Sequence, residues 1–447
     1  MMHQSVRRIP IYIYDWYNKD EKYKYVNEIE AFSIQSYEEI RQRQWKKLVR
    51  ILDVASKSSE YYQNQFKRYN IDVNSIKHPE NLLNIPYLTK NDIRRNMVKM
   101  RNNDTIMTDI IETATGGTTE SPIKIYLDRY CYTMRRAATL YFQRWYGSLP
   151  GSPTALLWGA EQDYTKRISV KDKIKQVLFG RVIYLPSSYL NEEVMWNYYY
   201  SLMSFKADVL QAYPTPLYIF SEFLEKNNLK LKIRNINVAA EYLYPYQREK
   251  IESVFGVKIF NWYGARELGH IATECKYHNG MHINCHGVYI EVIKNGKQVV
   301  DEMGEFVVTD LLNTAMPLIR YKIGDIGKIS NRICPCGSGL PLIEEVGGRY
   351  ADTFKKRDGS YIPGVALTNR VIKDHHGIEK LQIIQRDYEL YKLNIVKGSD
   401  YSEDAVERLK NNICDFIHER IEFEVNFVDD ILPEKSGKIL FCKSEIH

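Results

Sequence analysis

The sequence predicts an α/β protein with a large N-terminal domain and a small C-terminal α+β domain. The chain has 447 residues, which is too many for one simple hydrophobic core. Through its middle, short apolar strands alternate with amphipathic helices, a pattern typical of mixed sheets flanked by helices. After residue 300, Gly-punctuated segments such as "GEFVVTD" and "RYKIGDIGKI" indicate an additional β subdomain. We therefore expect domains at residues 1–350 and 351–447.

Composition excludes several classes of protein. The net charge is only +6, from 62 basic and 56 acidic residues, and no long basic run indicates a nucleic-acid partner. No stretch of 18 apolar residues exists, and Asp15 interrupts the N-terminal apolar patch, so neither a membrane span nor a signal peptide is expected. Seven sparse cysteines without an export signal predict a cytoplasmic protein with free or metal-bound thiols.

Residues 1–95 form a helical lead-in within the large domain. Ser36 and Glu39 have the spacing of a capping box, and the apolar periodicity after them predicts a helix over 36–69. Thr89 with Asp92 predicts a second helix start.

The first candidate binding element is the loop Thr115-Gly116-Gly117-Thr118-Thr119. It lies before "IKIYLD", whose alternation predicts a strand, so it differs from a Walker loop, which needs a following helix and a Gly-Lys-Ser/Thr ending. Glycines let backbone amides approach phosphate oxygens, and threonine hydroxyls donate further hydrogen bonds. Taken alone, a surface turn explains the loop equally well.

Other polar groups follow predicted strands of the α/β region. Tyr213 follows "ADVLQA", Glu241 follows "INVAA", and the segment 263–267 follows "KIFNW". In such sheets ligands bind beyond the carboxyl ends of the strands, so we expect these side chains to line a site. The C-terminal domain opens with "TFKKRDGSYIP", which predicts a β-hairpin with Asp358-Gly359 as its turn.

Three later motifs carry candidate ligand-binding groups. In "WYGARELG", Glu267 suits Mg²⁺ and Tyr263 suits stacking on a base; in "IRYKIGDIG", Asp325 suits two ribose hydroxyls. In "EKSGKIL", Lys438 ends a Gly-containing loop. Each motif alone is more often a turn residue or a solvated lysine.

The order and approximate spacing of these motifs, together with "GGRYADTF", resemble the adenylate-forming (AMP-binding) superfamily over nearly the whole chain. More narrowly, the chain resembles the phenylacetate–coenzyme A ligase and CapK (capsular polysaccharide biosynthesis) branch. The segments that carry this narrower resemblance are "PYLTKNDIRRN", "YPYQREKIESVFG", "ARELGHIATEC" and "CPCGSGLP".

The resemblance implies an adenylation domain with a small mobile lid domain. A carboxylic acid would attack the α-phosphate of ATP, pyrophosphate would leave, and the acyl-adenylate would pass to a thiol, usually that of coenzyme A. The implied ATP-binding residues are Thr115, Gly116, Gly117, Thr118 and Thr119 for the phosphates, Glu241 and Tyr263 for the adenine, and Asp325 and Arg349 for the ribose. Gly264 completes the implied ATP-binding set. Glu267 would hold Mg²⁺, Lys438 would bridge the acid to the α-phosphate, and Asp352 would be the hinge.

This chain departs from the superfamily pattern at three positions. Glu120 stands where the loop usually has Gly, the basic residue after the loop is displaced to Lys124, and Arg266 stands where a Thr commonly precedes the glutamate. An acidic side chain beside phosphates is unfavourable unless it points away, so a member that has lost activity remains an alternative.

A second group of residues has metal-ligand spacing. Cys275 and His278 form C-x-x-H, and Cys334 and Cys336 form C-x-C on a Gly/Pro-rich knuckle. Two such pairs suit a closed tetrahedral Zn²⁺ site with a structural role. Buried or surface thiols without metal are the alternative, and other candidate ligands are His282, Cys285 and His286.

The substrates are less defined. Tyr141, Tyr213 and Trp262 would line the acyl pocket and indicate an aromatic or flat acid, although core packing explains them too. The acceptor could be an amine or a protein thiol instead of coenzyme A. A zinc-containing nucleic-acid-binding module is a third alternative, and a homodimer is the default expectation.

Overall fold

The structure is a computed structural model. It describes residues 13, 17, 20–105, 109–114, 123–158, 182–187, 190–241, 243, 245–347, 353–357, 361–363, 377–398, 400–431 and 442–446. Within these ranges, no helix has the length and apolar character needed to cross a bilayer.

The lead-in is helical, as predicted. Its elements are α1 (Lys22–Ser33), α2 (Tyr37–Ser58), two 3-10 helices (Val73–Ser75 and Pro79–Asn84), α3 (Glu60–Arg68) and α4 (Lys90–Met100). Both predicted capping boxes are confirmed. The Ser36 hydroxyl accepts from the Glu39 amide while the Glu39 carboxylate accepts from the Ser36 amide, and Thr89 and Asp92 repeat the arrangement.

The single helix predicted over 36–69 is wrong in one respect, because the chain breaks into α2 and α3 at Ser59. That residue has extended backbone angles, and its hydroxyl donates to the carbonyl of Lys99 near the end of α4. A tertiary hydrogen bond therefore stabilises the break, whereas helical periodicity continues across it.

The predicted phosphate loop connects two strands, as expected. β1 (Ile110–Ala114) pairs antiparallel with β2 (Lys124–Asp128), and α5 (Arg129–Trp145) follows, with the Asp128 side chain accepting from the Cys131 amide. The loop itself lies outside the described residues.

Among the described residues, twelve strands of the large domain form one sheet, which has a parallel and an antiparallel part. Its parallel part consists of β3 (Thr154–Trp158), β4 (Val182–Pro186), β5 (Val209–Ala212), β6 (Asn235–Val238) and β7 (Ile259–Ala265). The helices along it are α6 (Glu192–Phe205), α7 (Pro214–Lys226) and α8 (Pro245–Phe255). One sheet face, including Ile236 and Val238, joins these helices in a common core, as the strand–helix alternation predicts.

The rest of this sheet is antiparallel and forms the β subdomain. Its strands are β8 (Gly269–Glu274), β9 (Met281–Ile283), β10 (Val288–Lys294), β11 (Lys297–Gln298), β12 (Gly304–Asp310), β13 (Tyr321–Ser330) and β14 (Leu342–Gly347). The order across the whole sheet is β11-β10-β12-β13-β14-β9-β8-β7-β6-β5-β3-β4. The β subdomain shares a core with the lead-in and α5, which includes Ile40, Leu48, Phe142 and Phe306. Folding therefore fixes the lead-in against the strands that carry several candidate site residues.

The C-terminal segment has its own core. The predicted hairpin is confirmed by the pairing of β15 (Thr353–Lys355) with β16 (Tyr361–Pro363). The elements that follow are β17 (Ile378–Gln385), β18 (Leu390–Lys397), α9 (Asp404–Ile417), β19 (Glu422–Phe427) and β20 (Cys442–Ser444). The four strands form one sheet in the order β19-β18-β17-β20. Apolar side chains of α9 pack on this sheet.

Candidate functional site

Glu267 lies in the tight turn between β7 and β8. Its side chain is 5% exposed, and its Oε1 accepts a hydrogen bond from the Tyr321 hydroxyl at 2.9 Å. Gly264 is required next to this turn, because a Cβ there would lie 2.7 Å from the carbonyl oxygen of Gly269. A carboxylate held by one neutral hydroxyl keeps oxygen lone pairs for a hard cation such as Mg²⁺.

Arg135 on α5 fixes the backbone of the same turn. Its guanidinium donates to the carbonyls of Arg266 and Glu267, and to the Asp310 carboxylate at 2.6 Å. Burial raises the pKa of Asp310, and the facing guanidinium opposes that effect. The Glu267 side chain is thus presented by a turn whose position does not depend on its own carboxylate.

Asp325 is the second buried carboxylate of the site, and a tyrosine hydroxyl holds it as well. Its Oδ2 accepts from the Tyr263 hydroxyl at 2.6 Å, and the side chain is 5% exposed. Tyr263 lies on β7 and Asp325 on β13, so the antiparallel part of the sheet curves enough to bring these strands together. The structure therefore joins the Tyr-Gly-x-x-Glu motif to the Gly-Asp motif through one hydrogen bond.

Glu241 lies beyond the carboxyl end of β6, as predicted. Its Oε2 accepts from the amide of Thr215 at 3.0 Å, in the first turn of α7, whereas its Oε1 is buried and has no partner among the described residues. Burial raises the pKa of this carboxyl group to about 7. The side chain can therefore present either a hydrogen-bond donor or a negative charge near neutral pH.

This raised pKa predicts a pH-dependent stability. The folded protein favours protonated Glu241, so its contribution to stability is full below the ordinary value of 4.5 and falls as pH rises toward about 7. The glutamine side chain of Glu241→Gln is uncharged at every pH. The unfolding free energy of this variant should therefore equal that of the wild type near pH 4.5 and be larger by about 3 kcal/mol above pH 7. Urea unfolding without ATP across this range measures the difference. The exposed Glu249→Gln on α8 is the control; parallel curves for Glu241→Gln and wild type would contradict the prediction.

The predicted acyl-pocket residues separate into two groups. Tyr213 follows β5 and contacts Trp158, and Trp262 lies on β7, stacked on the His270 ring at 5.1 Å. Tyr141 instead lies in the hydrophobic core that α5 shares with the helical lead-in. Only Tyr213 and Trp262 follow or occupy strands of the parallel part of the sheet.

Several predicted site residues lie outside the described residues. They are Thr115, Gly116, Gly117, Thr118, Thr119, Glu120, Arg349, Asp352 and Lys438. Two supporting residues were not anticipated. Tyr321 had a signal, because it precedes Asp325 by four residues in one predicted strand and so shares its face. Arg135 had none, because nothing local distinguishes it from other arginines of α5.

A cluster of three cysteines and one histidine forms a candidate metal centre. The ligand atoms of Cys275, His282, Cys334 and Cys336 all lie within 4.8 Å of one another. The Cys275 and Cys334 sulfurs are 3.6 Å apart, and the Cys336 sulfur is 3.4 Å from His282 Nε2. Typical Zn–S and Zn–N bonds give a tetrahedron with edges of about 3.5–3.8 Å, so the donor set fits Zn²⁺.

The surroundings also suit a metal. His282 Nδ1 lies 3.2 Å from the carbonyl of Leu340, which leaves Nε2 directed at the cluster, and burial lowers the pKa of this imidazole to about 4, keeping it neutral. Burial raises the pKa of Cys275 to about 12, so a bound cation must displace its proton. The knuckle also contacts the lead-in, because the Ser338 hydroxyl donates to the Ser33 carbonyl.

The structure corrects the predicted histidine ligand. His278 is not in the cluster: its Nδ1 lies 3.1 Å from the Glu274 carboxylate, and its ring contacts Phe260. The physical reason is a turn in which the His278 amide donates to the Cys275 carbonyl, with φ of 49° at His278. His282 on β9 takes its place.

Comparison with known proteins shows similarity to a CapK protein and, over shorter stretches, to two enzymes. The model of the CapK C-terminal domain matches residues 354–445. Over 400 residues, the chain is 25% identical to protein CapK of Staphylococcus aureus, covering 87% of this chain and 86% of that protein. Shorter matches are phenylacetate-coenzyme A ligase of Thermus thermophilus, 25% identical over 36% of this chain and 38% of that one, and indoleacetate–lysine synthetase of Pseudomonas savastanoi, 24% identical over 49% and 53%.

Solved structures confirm the predicted fold class. A 2-hydroxyisobutyryl-CoA ligase, in complex with 2-HIB-AMP and CoA, superposes with a TM-score of 0.62 at 17% identity. The match covers 93% of this chain and 92% of the ligase. At this identity the similarity establishes the fold alone.

Proposed function

We propose that this chain, which resembles the adenylate-forming superfamily, activates a carboxylic acid with ATP and then transfers the acyl group to a thiol, as coenzyme A-type ligases do. The observation that carries the proposal is the pair of buried carboxylates, Glu267 and Asp325, each held by a tyrosine hydroxyl beyond the parallel strands. Two such groups suit a nucleotide that brings both a cation and ribose hydroxyls.

In the first half-reaction, a carboxylate oxygen of the acid forms a bond to the α-phosphorus of ATP. The bond from that phosphorus to the bridging oxygen breaks, and the electron pair leaves with pyrophosphate. Glu267 would hold Mg²⁺, which would supply positive charge to neutralise the phosphates. Asp325 accepts from the ribose hydroxyls, and Tyr263 and Glu241 flank the adenine beside Gly264.

The remaining roles fall on residues outside the described ranges. Thr115 to Thr119, between the paired strands β1 and β2, hold the departing phosphates. Arg349 joins Asp325 at the ribose, Lys438 bridges the attacking carboxylate to the α-phosphate, and Asp352 is the hinge of a mobile lid. Charge grows on the phosphoryl oxygens in the transition state, so these donors lower the barrier there.

An amine acceptor is the second candidate, and a protein thiol the third. The amine is favoured by the similarity to indoleacetate–lysine synthetase, whose name pairs a carboxylic acid with an amino acid that carries amines. The Cys/His centre, in which Cys275, His282 and Cys334 are buried and Cys336 is partly buried, is proposed as a structural Zn²⁺ site, since four protein ligands leave no position for a substrate.

Pyrophosphate release tests the adenylation step. The wild type is incubated with Mg·ATP and a panel of aryl, fatty, hydroxy and amino acids, without coenzyme A. One class of acid should give release, and Lys438→Ala should lower that rate roughly 10²-fold, because one transition-state donor is lost. Lys410→Ala on α9, which pairs with Glu407 at the surface, should leave the rate unchanged. Equal rates in wild type and Lys438→Ala would contradict the role of Lys438, and absence of ATP binding would overturn the proposal.

The acceptor is identified in a second experiment. The acid found in the first assay is supplied with coenzyme A, with free amino acids, or with neither, and the products are separated by mass. A thioester supports the ligase proposed here, whereas an amide supports the second candidate.

A further inference from the structure

Asn237 is a buried amide without a partner in the middle of the parallel strands. Its side chain is 1% exposed, and neither Oδ1 nor Nδ2 has a hydrogen-bond partner among the described residues. Buried amides in native proteins are almost always hydrogen-bonded, because an unpaired one loses its interactions with water. An amide that lacks both bonds near the carboxyl end of a strand therefore indicates a ligand that supplies them.

The side chain of Asn237 lies on the sheet face opposite to the one that packs against α6, α7 and α8. Ile236 and Val238 on β6 point into the core with α6, α7 and α8, so Asn237 points to the opposite face. Its neighbours on that face are Gln211 on β5 and Phe260 on β7, at the same level of the sheet. Both are uncharged.

Asn235 shows what a structural amide on this face looks like. It lies two residues earlier on the same strand and face, and its side chain contacts the backbone of Tyr146 and Gly147 at the end of α5. That segment covers the beginning of β6. Asn237 lies one step further toward the carboxyl end, where no described residue bonds it.

A second unpaired donor shares the neighbourhood. Trp262 follows Phe260 by two residues on β7, on the same face, and its buried indole Nε1 has no partner among the described residues. Asn237 offers one acceptor and two donor hydrogens, and Trp262 offers one donor. A neutral group that both donates and accepts, such as a hydroxyl or a carboxamide, satisfies this set.

We propose that Asn237 binds such a polar substituent of the carboxylic acid, so that the substrate is a hydroxylated or carboxamide-bearing acid and not its plain alkyl or aryl analogue. This inference rests on the proposed adenylation function. Specificity then follows from the unpaired amide, because an analogue without the substituent leaves Asn237 and Trp262 buried and unsatisfied. A site built to bond a hydroxyl rejects the analogue that lacks it far more strongly than an apolar pocket rejects a missing methylene.

Matched acids test the proposal in the full-length protein. The kcat/KM for pyrophosphate release is measured with phenylacetate and 4-hydroxyphenylacetate, benzoate and 3- or 4-hydroxybenzoate, hexanoate and 6-hydroxyhexanoate, and succinate and succinamate. In at least one pair the wild type should prefer the polar member by about 10²-fold or more. Asn237→Leu should abolish that preference by lowering kcat/KM for the polar member, and Asn235→Leu should retain it.

Thermal unfolding of the same variants gives a readout that does not need activity. Asn237→Leu should unfold at a higher temperature than the wild type, because it removes an unpaired buried amide. Asn235→Leu should unfold at a lower temperature, because it removes bonded polar groups. A lower unfolding temperature for Asn237→Leu would mean that the amide has a structural partner and would overturn the proposal.

The outcomes separate the two hypotheses. Pyrophosphate release without a polar preference, or a preference that Asn237→Leu leaves intact, overturns the inference and leaves the adenylation function standing. Silence with every acid, in a wild type that also fails to bind ATP, overturns the adenylation function and the inference with it.

Discussion

Glu267→Gln is expected to slow acyl-adenylate formation on the order of 10³-fold, because it removes the negative charge that we propose holds Mg²⁺ against the phosphates of ATP. Glutamine has the same shape, and its side-chain oxygen can still accept the hydrogen bond of Tyr321. The backbone of the turn is held by Arg135, which bonds carbonyl oxygens and not the carboxylate. The variant should therefore fold normally.

The measurement is single-turnover pyrophosphate release at several Mg²⁺ concentrations. The Mg²⁺ concentration that gives half the maximal rate should rise in Glu267→Gln. Tyr321→Phe keeps the negative charge of Glu267 and removes only the hydroxyl that orients it. Its rate of pyrophosphate release at saturating Mg²⁺ should therefore be about 10-fold lower than that of the wild type. A Glu267→Gln variant with the wild-type rate and Mg²⁺ dependence would remove Glu267 from the proposed site.

Local chemistry explains which parts of the fold were predictable. The helix starts at Ser36 and Thr89 were correct because a capping box is made within four residues. The parallel strands were correct because each is a short apolar run beside a helix, which leaves few arrangements of the sheet.

Tertiary contacts explain what the sequence did not predict. The break at Ser59 is stabilised by a hydrogen bond to Lys99, forty residues away, and no local rule encodes that contact. The same holds for Arg135, whose partners lie on β12 and on the turn after β7. In the candidate site, each motif could be predicted from the sequence by itself. The hydrogen bonds from tyrosine hydroxyls to the two carboxylates could not, because they depend on how β13 approaches β7.

The exchange of His278 for His282 is the clearest case. The C-x-x-H spacing predicted that Cys275 and His278 bind the same metal ion. In the structure, the turn at Cys275 directs His278 toward Glu274. His282 follows on a strand that pairs with both β8 and β14, and β14 comes directly after the Cys334–Cys336 knuckle. The candidate ligand set therefore depends on sheet pairing as well as on motif spacing.

Loss of the metal centre is expected to have the largest effect on stability. The purified protein should contain one Zn²⁺ per chain, and Cys334→Ser should lose it. Structural zinc contributes on the order of 10 kcal/mol in small domains, which is comparable to the total stability of a typical folded protein. The knuckle contacts α1 through Ser338, so its release should also loosen the lead-in from the β subdomain.

Metal analysis and thermal unfolding of four variants decide this prediction. His282→Ala and Cys334→Ser should both lose zinc and unfold at a much lower temperature, and at low pH the wild type should lose zinc too, because protons compete for the thiolates. His278→Ala should keep its zinc, because that imidazole contacts Glu274. Cys285→Ser is the control for changing a buried thiol outside the cluster. Zinc retained in His282→Ala but lost in His278→Ala would restore the C-x-x-H pair, and zinc absent from the wild type would leave the cluster as buried thiols.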